Sequence, residues 1–119
     1  MPRVKRGVTA HRRHKKVLAL TKGHRATKHS LYRRAHESML KSLSYAYRHR
    51  RERKGDMRRL WILRVNAASR AQGLTYSQFM DGLRKSGIEI NRKLLADMAV
   101  REPESFAHLA TLARGKVQD

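Results

Sequence analysis

The segment Arg48-His49-Arg50-Arg51-Glu52-Arg53-Lys54-Gly55-Asp56-Met57-Arg58-Arg59-Leu60-Trp61 decides how the chain is read. Before it, Tyr32, Ala35, Met39, Leu43 and Ala46 recur at steps of three and four, which is one face of a helix. After it, Met57, Leu60, Trp61, Val65 and Ala68 resume the same pattern. Between them the apolar face lapses and charge takes over. From Arg25 to Gln72 there is no proline, and Gly55 is the only glycine. Ala, Leu, Met, Arg, Lys and Glu dominate, all good helix formers. The spacing predicts a long helical stretch over 25–72, with Gly55 as the candidate kink or break. Unbroken, 48 residues would span about 72 Å, against a radius of gyration near 13 Å for a compact domain of this length. A helix of that length has to project from any globule, and its charged middle calls for anionic surroundings.

The flanks are shorter. Residues 1–8 read as an extended arm, because Pro2 and Gly7 discourage helix. Thr9 can cap a helix over about Ala10–Leu20, with Gly23 as its stop. Beyond Gly73, Thr75 or Ser77 can cap a helix over Tyr76–Ser86, turning Phe79, Met80 and Leu83 inward and ending at Gly87. Ile88-Glu89-Ile90 is a short extended link. Asn91 can cap Arg92–Val100, whose apolar side is Leu94, Leu95 and Met98. Pro103 opens a last helix to about Arg114, with Phe106, Leu109 and Leu112 as its inward side. The expected fold class is all-α: a long basic N-terminal helical extension (1–59) followed by a small C-terminal helical domain (60–119).

Charge divides the chain at the same place. The 119 residues hold 29 Lys+Arg and 9 Asp+Glu, a formal net charge of +20. Residues 1–59 contain 20 of those bases and only 3 acids. Leu, Ile, Val and Phe supply 8 of residues 1–59 and 16 of residues 60–119. So few large apolar residues, with so much like charge, cannot close a core alone, and an external polyanion is the expected source of order. Cysteine is absent, which excludes a disulfide framework and Cys-based zinc sites. The longest apolar runs, Val17–Leu20 and Leu60–Leu63, are too short for a membrane span or the core of a signal peptide.

The basic clusters are Arg3, Lys5 and Arg6; Arg12, Arg13, Lys15 and Lys16, with His11 beside them; Lys22 and Arg25; Arg33 and Arg34; Arg48, Arg50, Arg51, Arg53 and Lys54; and Arg58 and Arg59. A merely solvated helix face mixes signs, and three acids cannot balance twenty bases, so polyanion binding is favoured. Arg outnumbers Lys by 13 to 7 in residues 1–59, and the guanidinium is the better bidentate fork for phosphate. These bases surround the helix, which suits folded RNA wrapped about it better than a single DNA groove. His11 and His14 have a spacing that could hold a metal, but their cationic neighbours disfavour a further cation, and phosphate or base contact is the expected role. Among the aromatics, Tyr45 and Tyr47 lie about 200° apart on a helix and cannot share a face. Trp61 is read as packing. Glu37, Glu52 and Asp56 are isolated, and there is no phosphate loop, metal triad or nucleophile-base pair. No enzyme activity, cofactor, metal or small-molecule substrate is expected.

Beyond composition, an ordered set of motifs resembles a known family. It runs from Pro2-Arg3-Val4-Lys5-Arg6-Gly7-Val8 through His14-Lys15-Lys16, Lys22-Gly23 and Tyr45-Ala46-Tyr47-Arg48 to Arg58-Arg59-Leu60-Trp61-Ile62. Arg64, Asn66-Ala67-Ala68, Arg70, Gly82-Leu83, Gly87-Ile88 and Asn91-Arg92-Lys93 continue it. From Pro2 to about Ala113 the chain resembles the L-twenty family of the large ribosomal subunit. It departs from the family pattern at His24, where Tyr is usual, and at Met57, where Phe is frequent. The resemblance implies a non-catalytic cytoplasmic protein of the bacterial-type ribosome. Such a protein binds large-subunit (23S-type) rRNA early in assembly, through a basic arm that penetrates the RNA. It implies contact with a neighbouring protein of the L-twenty-one family and, in some bacteria, repression of the protein's own mRNA by the C-terminal domain. Carried over residue by residue, it implies rRNA contact for Arg3, Arg6, Arg12, Arg13, Lys15, Lys16, Arg48, Arg50, Arg51, Arg58 and Arg59. Arg64, Asn66, Arg70, Asn91, Arg92 and Lys93 match the C-terminal pattern and can serve RNA or the fold. The rival from charge alone is a regulatory nucleic-acid binder, either a repressor or a DNA-architectural protein. A cationic membrane peptide is disfavoured by the meagre apolar face of the arm.

Overall fold

Helix formation dominates because good helix formers fill long intervals between a few punctuating residues. The structure, a computed structural model, describes residues 1–117. In order they form α1 (Gly7–Leu20), a short 3-10 helix (Ala26–His29), α2 (Tyr32–Ala71), α3 (Tyr76–Lys85), α4 (Arg92–Arg101) and α5 (Pro103–Val117). No strand occurs among the described residues, so the class is all-α. The chain divides into two compact units, 1–51 and 52–119.

Helix α2 runs unbroken for 40 residues, about 60 Å at 1.5 Å per residue. Gly55 does not interrupt it. A mid-helix glycine costs about 1 kcal/mol, too little to overcome the cooperativity of strong formers on both sides. The helix begins later than expected: 26–29 coil into the 3-10 turn, and α2 starts at Tyr32. Conversely, α1 starts earlier, at Gly7, with Arg6 as a cap that makes no side-chain bond. Thr9 lies within the first turn, where its hydroxyl donates to the Arg6 carbonyl at 3.0 Å.

In the first unit the buried residues are few. Val17, Thr21 and Ala35 are buried. The Thr21 hydroxyl is satisfied by the Val17 and Leu18 carbonyls at 3.4 and 3.3 Å. The His14 ring stacks on Tyr32 at 3.9 Å between centroids. His24 Nδ1 lies 2.7 Å from Ser38 Oγ, which ties the connecting turn to α2. This is a clasp of side chains rather than a core.

The second unit has a true core: Val65, Leu74, Phe79, Leu83, Leu95, Ala96, Phe106, Ala110 and Ala113. Phe79 and Phe106 stack at 5.0 Å in its centre. Trp61, Tyr76, Ile88, Ile90 and Leu109 pack around them. The helix ends follow local chemistry. Thr75 and Gln78 form a capping box, each side chain accepting from the other's backbone N–H. Asn91 Oδ1 accepts from Leu94 N at 2.9 Å. Gly73 and Gly87, at φ +76° and +70°, close α2 and α3 with the same hydrogen bond, Leu74 N to Ser69 O and Ile88 N to Leu83 O, both 3.0 Å.

The inward faces of α4 and α5 differ from the expected ones. Leu94 and Leu112 are exposed, and Ala96, Ala110 and Ala113 are buried in their stead. On α5 the cause is close approach. A Cβ on Gly82 of α3 would stand 2.8 Å from Ala113 Cα, so the α3–α5 contact admits only small residues. The two helical glycines therefore differ in sign. Gly55→Ala, with nothing within 4 Å of the new Cβ, is expected to stabilise by about 0.8–1 kcal/mol. Gly82→Ala is expected to destabilise by about 1–3 kcal/mol through overpacking. Urea unfolding of the two variants checks both.

Candidate nucleic-acid interface

Helix geometry distributes the cations. Successive residues turn by about 100°, so Arg12, Arg13, Lys15 and Lys16 share an arc of about 160° on α1, away from buried Val17 and Thr21, whereas Arg48, Arg50, Arg51, Arg53 and Lys54 point to all sides of α2. Every residue from 51 to 60 is exposed. Arg3, Lys5 and Arg6 precede or open α1, and Lys22 and Arg25 flank the turn after it. Arg33 and Arg34 stand in the first turn of α2. Of the basic, His and Asn candidates, His14, Asn66 and Arg92 are half-buried and the rest are exposed.

Internal partners are scarce for so many charges. Arg34 pairs with Glu37 at 3.4 Å and Arg59 with Asp56 at 3.5 Å. Both pairs are exposed and contribute little to stability. Arg51 lies over the Tyr47 ring at 4.8 Å. Arg70 Nε donates to Asn66 Oδ1 at 3.3 Å along the same helix. Arg50 and Arg53 make no ion pair. The arrangement presents guanidinium and ammonium groups to solvent.

The structure gathers some candidates and leaves others dispersed. Arg58, Asn91, Arg92 and Lys93 come together around Trp61 in a groove of about 280 Å³ in the second unit. Arg92 Nε donates to Tyr76 Oη at 2.9 Å, which orients its guanidinium. Asn91 caps α4 with its side chain, so it serves the fold. Trp61 packs against the core while lining this groove. His14 is engaged with Tyr32, and no group of three or more His, Cys, Asp or Glu that could hold a metal occurs among the described residues. No helix among them is long and apolar enough to cross a membrane.

One cluster escaped the sequence reading. Lys28 from the 3-10 turn meets Arg34, Ser38, Lys41, Tyr45 and His49 along one face of α2, in a groove of about 780 Å³. The helical step from Arg34 through Lys41 and Tyr45 to His49 is visible in the sequence. That Lys28 closes it depends on the turn at 26–29.

These features define a class: an all-helical, strongly cationic protein whose charges face outward for a polyanion. The family model described as Ribosomal protein L20 matches residues 3–109. Relatives named large ribosomal subunit protein bL20 align over nearly the whole chain. One from Dehalococcoides mccartyi is 63% identical over 113 residues, 95% of each chain. That from Moorella thermoacetica is 56% identical over 117 residues, 98% of this chain and 97% of its own. That from Thermomicrobium roseum is 55% identical over 114 residues, 96% and 97%. The chain belongs to the ribosomal protein L20 family.

Cations placed for a ligand should be dispensable to the fold. The double variant Arg50→Gln, Arg53→Gln is expected to unfold within about 0.5 kcal/mol of the parent, as exposed substitutions usually do. Thermal unfolding without RNA measures this. A loss beyond about 2 kcal/mol would assign these residues a folding role.

Proposed function

We propose that the chain acts as a non-catalytic structural constituent of the large ribosomal subunit by neutralising phosphates of large-subunit rRNA. The basic arm, 1–59, lies between RNA segments that would otherwise repel, and the helical domain, 60–119, fixes its register. One observation carries the reading: in a chain of the L20 family, the middle of α2 is exposed on every side and rich in arginine. The residues assigned to rRNA are the outward cations of α1, the turn and α2, with Arg64, Arg70, Arg92 and Lys93 from the second unit. Family membership supports the cytoplasmic bacterial-type ribosome as the setting. It also supports two further partners, a neighbouring protein of the L-twenty-one family and the chain's own mRNA. A DNA-architectural role explains the charge equally well but not the family.

The test is binding of the full chain to a large-subunit rRNA transcript at a series of salt concentrations. With about ten phosphates neutralised, log K against log salt is expected to fall with a slope of about −7 to −9. Tighter binding to duplex DNA than to the rRNA at matched salt would overturn the reading.

A further inference from the structure

The 780 Å³ groove on the first unit sets a ring stacked on a second ring among cations and hydroxyls. Tyr45 is 41% exposed. The His49 ring lies parallel to it, 7° between planes and 5.6 Å between centroids. Lys41 Nζ sits 4.9 Å from the Tyr45 ring centroid, nearer than the Arg48 guanidinium at 5.9 Å. The four-residue spacing of Lys41, Tyr45 and His49 stacks the three side chains along α2. Beside them Ser38 and Ser42 offer hydroxyls, and Lys28 and Arg34 add positive charge. The groove's one acid, Glu37, is engaged by Arg34. His24, bonded to Ser38, holds the turn bearing Lys28 against the helix.

A backbone-only contact needs cations and no exposed ring. An aromatic face with cations at its rim fits an unpaired nucleotide: the base stacks, and its phosphate meets the ammonium. A base paired inside a helix has both faces occupied by its neighbours and cannot use such a platform. Building on the proposed RNA-binding function, we infer that this groove takes a single unpaired RNA nucleotide. Its base displaces the Lys41 ammonium from the Tyr45 ring, and the released ammonium pairs with the flanking phosphate. His49 backs the ring and holds it in plane. Tyr45 is thus a stacking residue, whereas the arginines of 50–59 are phosphate contacts. Lys41 serves both states, shielding the ring in the free protein and neutralising phosphate in the complex.

The experiment compares the full chain with Tyr45→Phe, Tyr45→Leu and Lys41→Gln. It measures binding to a large-subunit rRNA transcript across salt concentrations, with ultraviolet cross-linking of the parent complex. Leu and Phe at an exposed helical position preserve the fold. Tyr45→Leu is expected to weaken binding about 5- to 100-fold with the salt slope unchanged, and Tyr45→Phe to bind like the parent. Lys41→Gln should reduce the slope by about 0.7–0.9. The Tyr45 peptide should cross-link to a nucleotide that is unpaired in the RNA. Parent-like binding by Tyr45→Leu, or a cross-link to a base-paired nucleotide, would overturn the stacking site while leaving the steep parent slope intact. A parent that fails to bind the transcript would overturn this inference together with the function it rests on.

Discussion

Like-charge repulsion in residues 1–59 is the constraint on which the rest depends. Two unit charges about 6 Å apart in water repel by about 0.7 kcal/mol, and twenty bases against three acids create many such pairs. Val17, Thr21 and Ala35 are the buried residues of the first unit, too small a core to oppose that repulsion. The segment meets it in two ways. Helix formation satisfies the backbone without burying side chains, and the His14–Tyr32 and His24–Ser38 contacts tie α1 and its turn to α2. What remains is a high density of positive potential, which a polyphosphate relieves by releasing counterions.

The second unit is built on the opposite principle. Phe79 and Phe106 stack inside a ring of aliphatic residues, and the Gly82–Ala113 contact brings α3 and α5 into close approach. Its stability comes from burial, so it can present Arg58, Arg92 and Lys93 around Trp61 on a preformed surface. Arg92 is held by Tyr76, which restricts its side chain. The first unit supplies charge that adapts, and the second supplies geometry.

Features set by neighbours in sequence were legible before the structure. Thr75, Asn91, Gly73 and Gly87 are end signals because capping is a local matter of hydrogen bonds and φ, and each does end or begin a helix as read. Charge needs no fold to be counted, so the outward cations were also legible. The misreadings involve competition at a distance. At Gly55 the sequence leaves a straight, kinked or broken helix open, because the local cost is visible and the cooperativity of forty residues is not. Leu112 looked buried because it is large and apolar, but Gly82 sets an α3–α5 spacing that brings the small Ala113 inward instead. The Tyr45 groove was missed because Lys28 reaches it through a 3-10 turn that no periodicity announces.

Amide hydrogen exchange of the full chain, alone and bound to large-subunit rRNA, tests the central claim most directly. The expected result in the free protein is slow exchange confined to a core within Leu60–Leu112, with fast exchange through much of 1–59, followed by strong protection of 1–59 once rRNA is added. Protection of 1–59 by duplex DNA of similar length but not by rRNA would contradict it. So would an arm as protected in the free protein as in the complex, since its order would then owe nothing to a polyanion.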